Sequence, residues 1–403
     1  MIWTLQKKAY RVYHFFSKLL IPFIRVPVPE VIEGEGCIER IPHILMRKGV
    51  DNVFIVTDKV LMELGMLKGL IGHLEANHIG YQIFDNVQPN PTIKNVEEGL
   101  DMYLKGNCKA IIGFGGGSPM DCAKIIGARV TNPKKTVRKM RGKFRIWNPT
   151  PLMILIPTTA GTGSETTIAA VITDSDTHEK FAIVSFKIIP EIAVLDPLLM
   201  VGLPPHITST TGMDALTHAV ESYTNLAGTQ FTDDSAIIAV RLIFANLEAA
   251  YRDGKNMFHR SQMALASFHA GNAFTRAMVG YVHAIAHNLG GMYGTPHGLA
   301  NAIILPHVLE FIKKDAEVKL AELAIAGGIG KQGEATDILA EKFIAAVKSL
   351  NKNMNIPSTV AELKEKDIPL IAKRAMQEAN PEYPVPTLMN RKDCERILRS
   401  LLP

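Results

Sequence analysis

Two histidine pairs and an aspartate define the chemistry open to this chain. Asp214 and His218 stand four apart in TTGMDALTHAVES, and His283 and His287 repeat that spacing in YVHAIAHNLGGMYGTPHG. On a helix, residues four apart share one face. His297 follows Gly294, Thr295 and Pro296, a break at which the chain can turn back toward the first two segments. One carboxylate and three imidazoles converging from three segments would hold a first-row divalent metal and leave a position for water or substrate. The competing reading is that each histidine caps or packs its own helix. No cysteine takes part, so a closed structural zinc site does not fit.

The elements that carry these residues read as helices. After about Gly202, helical periodicity covers Thr208–Ala227, Thr232–Arg252, Met257–Ala273, His283–Leu289, Leu299–Lys313, Asp315–Ala326, Ala335–Leu350, Val360–Glu365 and Ile368–Met376. Ser209 or Thr210 and Asp233 or Asp234 supply N-caps. An all-α domain therefore owns every candidate metal ligand. The seam before it falls in LDPLLMVGLPP, near Pro197–Pro205.

The first half has a different rhythm. Asn52–Asp58, Gly80–Asp85, Ala110–Phe114, Leu152–Ile156, Ile168–Asp174 and Ile192–Leu195 are short apolar runs of strand formers. Helical stretches alternate with the first of them: one runs to about Asn77 and another covers Ile93–Lys105, after a VQPNPT loop at Val87–Thr92. Strand and helix in alternation imply a parallel, doubly wound, Rossmann-like sheet. Ala110–Phe114 opens into Gly115, Gly116, Gly117, Ser118, Pro119, Met120 and Asp121. Glycines after a strand admit a ligand close to the backbone, and a helix beginning near Pro119 would offer its free amides to a pyrophosphate. Ser118 and Asp121 have the spacing of a capping-box variant. A tight turn with an ordinary cap explains the loop equally, and GFGGGS is not the usual GxGxxG fingerprint. Asp58 ends a strand, where a carboxylate can bind a ribose and repel a 2′-phosphate, or simply close a turn. PTTAGTGSETT (Pro157–Thr167) suits a second cofactor loop or a self-capped turn, and Lys180 lies between two strands, within reach of a phosphate.

Composition narrows the function classes. The chain has 403 residues, 47% hydrophobic and 21% charged, the profile of an ordinary globular protein of two domains. Its four cysteines, Cys37, Cys108, Cys122 and Cys394, form no CxxC, which suits a reducing, cytoplasmic setting. The net charge of +5 comes from Lys7, Lys8, Arg11, Lys18 and Arg25; without them, basic and acidic residues balance. A basic face for nucleic acid is therefore not expected. No stretch is long and apolar enough for a membrane span. IWTLQKKAYRVYHFFSKLLIPFIRV mixes aromatic and basic residues up to Pro22, but Lys18 interrupts it and no cleavage site follows, so it is not a signal peptide. The favoured reading is an amphipathic helix packed on its own subunit or a partner; the alternative is a helix on an anionic membrane surface.

Taken together the motifs resemble the iron-containing (group III) alcohol dehydrogenases. The resemblance rests on TDK at Thr57–Lys59, PNPT at Pro89–Thr92, GGGSPMDCAK at Gly115–Lys124 and PTTAGTGSE at Pro157–Glu165. MDALTHAVE at Met213–Glu221 and HAIAHNLGGMYGTPHG at His283–Gly298 complete it, over roughly residues 29–307. It implies a dinucleotide-binding α/β domain at 29–200 and an all-helical metal domain at 201–403, while the amphipathic extension at 1–28 is read from the residues alone. It also implies Asp214, His218, His283 and His297 as ligands to ferrous iron, or zinc in some members, and His287 as a proton relay. Asp58 would set NAD preference, and Asn90, Gly115, Gly116, Gly117, Ser118, Thr158, Thr159, Thr162, Thr167 and Lys180 would contact the cofactor. Two departures stand out. Residues 1–28 precede the usual start, and EANPEYPVPTLMNRKDCERIL (Glu378–Leu398) replaces a Cys-containing segment ending in TNPR or GNPR.

The implied reaction is reversible hydride transfer between a primary alcohol or aldehyde and NAD(H), the metal polarising the substrate oxygen in the cleft between the domains. A homodimer or larger homo-oligomer is expected. The main alternative on this scaffold is a hydroxyacid–oxoacid transhydrogenase, which retains its cofactor. A lyase of the dehydroquinate synthase type lacks this DxxxH and HxxxH-x9-H spacing. A non-catalytic, membrane-recruited scaffold would not need the ligands and cofactor loops.

Overall fold

A computed structural model describes residues 2–20, 25–177 and 179–403. Two compact units emerge: Val26–Gly202 with Lys255–Ala264, and Met1–Arg25 with Leu203–Gly254 and Leu265–Pro403. The chain opens with helix α1 (Ile2–Leu20), which belongs to the second unit. Pro22, where the sequence ends that helix, lies outside the described residues.

The first unit is α/β. In chain order it runs β1 (Glu30–Glu33), α2 (Ile41–Arg47), β2 (Asn52–Val56), α3 (Lys59–Glu63), α4 (Lys68–Ala76), β3 (Gly80–Phe84) and α5 (Ile93–Lys105). It continues with β4 (Ala110–Gly115), α6 (Gly117–Thr131), α7 (Val137–Met140), β5 (Gly142–Lys143), β6 (Leu152–Pro157), β7 (Ala169–Asp174), β8 (Glu179–Val184) and β9 (Ile192–Leu195). Six strands form one parallel sheet in the order β1–β9–β6–β4–β2–β3.

The strand sequences explain this sheet. Along β2, Phe54 and Val56 enter one core while Val53 and Ile55 enter the other. On β4 and β6, Ile111, Met153 and Leu155 face the first core, and Ile112, Phe114, Ile154 and Ile156 the second. Both faces are covered, which is why the strands read as continuous apolar runs. Each such side chain contributes about 1.5–3 kcal/mol on burial, so the sheet is a stiff base for the loops at its ends. Ile168–Asp174 joins a different sheet: β7 pairs antiparallel with β8, and β5 flanks β8. Lys180 is thereby on a strand, not in the connection anticipated for it.

The second unit is helical. It contains α8 (Pro205–Thr224), α9 (Gln230–Arg252), most of α10 (Met257–Ala277), α11 (Tyr281–Tyr293), α12 (His297–Ala326), α13 (Thr336–Asn353), α14 (Ile368–Ala379) and α15 (Arg391–Arg399). Nearly every residue of α8 from Thr208 to Thr224 is buried, as befits a central helix packed against α9 and α12. Two expectations change. Leu299–Lys313 and Asp315–Ala326 are parts of the single helix α12, which passes through Pro306 and turns its Lys313, Lys314 and Asp315 toward solvent. Val360–Glu365 is not a helix, because Val360 donates its amide to Leu401 O at 2.9 Å and the segment is tied to the C-terminus.

Candidate active site

Three helices deliver the metal-type side chains. Asp214 and His218 share the buried face of α8, His283 lies in the first turn of α11, and His297 opens α12. Gly298 permits that last placement: a Cβ there would lie 2.4 Å from the main-chain oxygen of Thr210 in α8. One ligand atom each from Asp214, His218, His283 and His297 can be chosen so that all four lie within 4.8 Å of one another. Asp214 Oδ1 is 3.5 Å from His297 Nε2 and 3.9 Å from His283 Nε2. Metal–ligand bonds of about 2.1 Å put neighbouring ligand atoms about 3–4 Å apart, so the spacing fits.

Asn301 tests the fit independently. Its Nδ2 lies 2.6 Å from Asp214 Oδ1, 3.1 Å from His297 Nε2 and 3.3 Å from His283 Nε2. Two amide hydrogens cannot serve three acceptors fully. Lone pairs from a carboxylate and two imidazoles aimed at one point are the arrangement a cation satisfies.

The surroundings fix the imidazoles. Burial, reinforced by the neighbouring imidazoles, holds the pKa of His283 well below its ordinary value, so the ring is neutral. Its Nδ1–H donates to Glu221 Oε2 at 2.6 Å, which turns the Nε2 lone pair to the cluster. Glu221 also accepts from the amides of Gly280 (2.8 Å) and Val282 (2.7 Å). Burial still pushes its carboxyl up to about 8. His218 is stacked between Phe274 and His283, with ring centroids 4.0 and 4.5 Å away.

His287 stands outside the quartet. Its ring stacks on His297 with centroids 5.4 Å apart, and its side chain is 42% exposed where that of His283 is buried. His287 Nδ1 lies 2.7 Å from Glu378 Oε1, which also accepts from the Tyr383 hydroxyl at 2.9 Å. Burial disfavours the imidazolium, but the charge and hydrogen bond of Glu378 outweigh it and raise the pKa of His287. Burial and the same carboxylate push the Tyr383 phenol well above its ordinary value, so it remains a donor.

The α/β unit assembles its own group. After β4, Gly115 adopts φ +145°, and a side chain there would strike Pro119. α6 then begins at Gly117, earlier than anticipated, with Gly116 as N-cap and no side-chain cap. The Ser118–Asp121 capping box does not form. Ser118 Oγ accepts from the Asn90 amide at 3.2 Å, while Asp121 turns inward to Ser164 Oγ (2.8 Å) and the Val171 amide (2.8 Å). Uncapped first-turn amides at a helix start suit a phosphate. Lys180 Nζ donates to Asn90 Oδ1 at 2.8 Å, so Asn90, Ser118 and Lys180 form one chain of contacts. Thr159 and Thr162 are half-buried opposite Gly116 and Gly117.

The other expected contacts point elsewhere. Thr158 and Thr167 are buried, and Thr167 Oγ1 accepts from Lys124 Nζ at 2.8 Å. Lys124, fully buried, also donates to Ser164 O, Ser164 Oγ, Thr167 O and Ala169 O, stitching α6 to the threonine loop. Burial lowers its pKa to about 8 against the opposing charges of Asp121 and Glu165, and burial raises Glu165 to about 7. Asp58 caps α3 by accepting from the Leu61 amide at 3.0 Å.

Sequence reasoning missed Glu221, Asn301, Glu378, Tyr383 and Lys124. Glu221 was within reach: it lies three residues after His218 on α8, and a ligating imidazole needs a partner for its second nitrogen. Asn301 lies four after His297 on α12. Nothing local points from His287 to Glu378, which tertiary packing supplies from α14.

Comparison with known proteins identifies the family. Residues 28–197 match the family model described as iron-containing alcohol dehydrogenase, and residues 208–402 match the C-terminal model of the Fe-containing alcohol dehydrogenase family. The 1,3-propanediol dehydrogenase of Citrobacter freundii is 39% identical over 397 residues, covering 97% of this chain and 99% of that protein. The NAD-dependent methanol dehydrogenase of Bacillus methanolicus is 36% identical over 376 residues, covering 93% of this chain and 98% of that protein. A crystal structure of 1,3-propanediol oxidoreductase superposes with a TM-score of 0.90 at 38% identity, covering 94% of this chain and 99% of that one.

Proposed function

The chain belongs to the iron-containing alcohol dehydrogenase family, and on that premise we propose a division of labour among its residues. It is an NAD-dependent oxidoreductase that interconverts alcohols and aldehydes. Asp214, His218, His283 and His297 hold the metal, iron in the first place with zinc the alternative, because three of their lone pairs already converge at Asn301 Nδ2. When bound, the metal supplies a Lewis acid for the substrate oxygen and the nicotinamide supplies or accepts the hydride.

The chain's own groups do the rest. Glu221 fixes the His283 tautomer, with the proton on Nδ1 and the lone pair on Nε2, and fixes its ring plane. His287 receives the substrate hydroxyl proton during oxidation and returns it during reduction, and Glu378 stabilises the imidazolium in between. Tyr383 keeps Glu378 oriented. In the α/β unit the first turn of α6, with Ser118, Asn90 and Lys180, takes the pyrophosphate and ribose, while Thr159 and Thr162 line the opposite side. Lys124 sets the distance between the two loops. Asp58 favours NAD over NADP through its negative charge at the end of β2. Gly115, Thr158 and Thr167 shape the cradle from within.

The substrates we assign are short neutral aldehydes and primary alcohols, since the Glu378 carboxylate beside His287 disfavours anionic ones. The working form is a homo-oligomer in a reducing compartment, where the four buried cysteines remain thiols. The test is metal analysis of anaerobically purified protein, coupled to an NADH-oxidation screen. Iron or zinc near one per chain, with turnover of short hydroxyaldehydes, supports the proposal. Tightly co-purifying nucleotide, no oxidation of free NADH and exchange between two acids would replace it with the transhydrogenase.

A further inference from the structure

Helix α1 has two faces of opposite character. The inner one is fastened to the helical unit through polar groups. His14 is buried with Nε2 2.8 Å from Pro381 O, and Arg11 donates to Val385 O at 2.7 Å and to Pro386 O. Trp3, Tyr10 and Ser17 are half-buried on that side. The outer face is apolar. Leu5, Val12, Phe16 and Leu19 fall within an arc of about 60° at 3.6 residues per turn, flanked by Phe15 and Tyr13. Five of these six are between 52% and 63% exposed, and Tyr13 is 40% exposed. A surface helix ordinarily turns its apolar stripe inward; here the stripe faces out along several turns.

Charge identifies what covers it. α1 carries Lys7, Lys8, Arg11 and Lys18 and no acidic residue. Pairing two copies through this stripe would bring together two helices of like charge. An anionic lipid surface meets both properties: aliphatic and aromatic side chains enter the headgroup boundary, Lys8, which falls between Leu19 and Phe15 around the helix, reaches lipid phosphates on its flexible stem, and the exposed Lys7 and Lys18, on the Arg11–His14 side, add to the positive field of the helix. No helix among the described residues is long and apolar enough to cross a membrane, so attachment through α1 is peripheral. We propose that α1 is a lipid-surface anchor, docking the enzyme on anionic bilayers through Leu5, Val12, Phe16 and Leu19 while Arg11 and His14 keep it fastened to the catalytic unit. Packing on its own chain and lying on a membrane use different faces and hold at once.

Co-sedimentation of the full chain with vesicles tests this. Binding to vesicles containing phosphatidylglycerol should exceed binding to pure phosphatidylcholine by about tenfold and should fall as salt rises from about 0.05 to 0.5 M. The double variant Val12→Glu, Phe16→Glu should abolish binding while leaving NADH turnover in solution and molecular mass by light scattering unchanged. Failure of the parent chain to bind anionic vesicles overturns the proposal, as does equal binding to both vesicle types. A fall in mass of the double variant, with no vesicle binding by the parent, would show that a second copy covers the stripe.

Discussion

Substituting Glu221 by Gln isolates the contribution of the carboxylate behind the metal site. Two carboxylate oxygens serve three buried donors: the Gly280 amide, the Val282 amide and His283 Nδ1–H. Glutamine keeps the volume but offers one carbonyl and one NH2. If its carbonyl takes the place of Oε2, Gly280 and His283 keep a partner and the Val282 amide faces another donor. An orphaned buried amide costs about 1–3 kcal/mol, which should appear as a lower urea midpoint in the metal-free protein. His283 also exchanges a carboxyl partner that ionises near 8 for an amide that never ionises, so Nε2 becomes a poorer ligand wherever the parent carboxylate is charged. Loss of such a partner weakens metal binding by about 10–100-fold. The assay is titration of metal-free protein with Zn2+ or Fe2+ against a chromophoric chelator. Metal affinity within twofold of the parent chain would show that Glu221 does not tune the site, because a merely structural Glu221 would alter the unfolding midpoint alone.

Other substitutions probe the remaining parts. Glu378→Gln removes the charge that raises the pKa of His287, so the limb of the pH–kcat profile that follows His287 should move to lower pH. Because the folded-state pKa is raised, the stabilisation from that pair is fully present below the ordinary histidine value and fades as pH rises through the raised one; the variant should lose this component. An unmoved profile would separate His287 from proton transfer. Gly298→Ala drives a Cβ into Thr210 O and must displace the start of α12; lower metal content and a lower Tm are expected, and full metal loading would contradict the placement of His297. Lys124→Met removes the buried donor that joins Ser164, Thr167 and Ala169 to α6 and the positive charge near Asp121 and Glu165, so a lower Tm is expected. Its NADH Kd should rise while metal content holds; an unchanged Kd would show that Lys124 does not position the loops.

The legible parts of this fold are those written in local pattern. Val53–Val56 and Ile111–Phe114 announce strands buried on both faces, and the parallel sheet follows from their alternation with helices. The quartet was legible because the i,i+4 spacing on α8 joins two ligands before any tertiary contact forms. Of the second pair, His283 joins the quartet and His287 does not, and its partner Glu378 is 91 residues away. Ser118 and Asp121 have capping-box spacing, yet each has a better tertiary partner, Asn90 for one and the Ser164–Val171 segment for the other. The charged run Lys313–Asp315 divided α12 in the sequence, but burial of Ile312, Ala316 and Leu320 on either side of it carries the helix through. The β7–β8 hairpin was half seen because Glu179–Val184 has only two buried positions.

In the proposed division of roles His283 holds a metal and His287 moves a proton. Metal content of anaerobically purified His283→Ala and His287→Ala, measured beside the parent chain, tests it most directly. His283→Ala should lose metal and turnover together, while His287→Ala should keep the parent stoichiometry with reduced turnover. Metal retained without His283, or lost without His287, would contradict it.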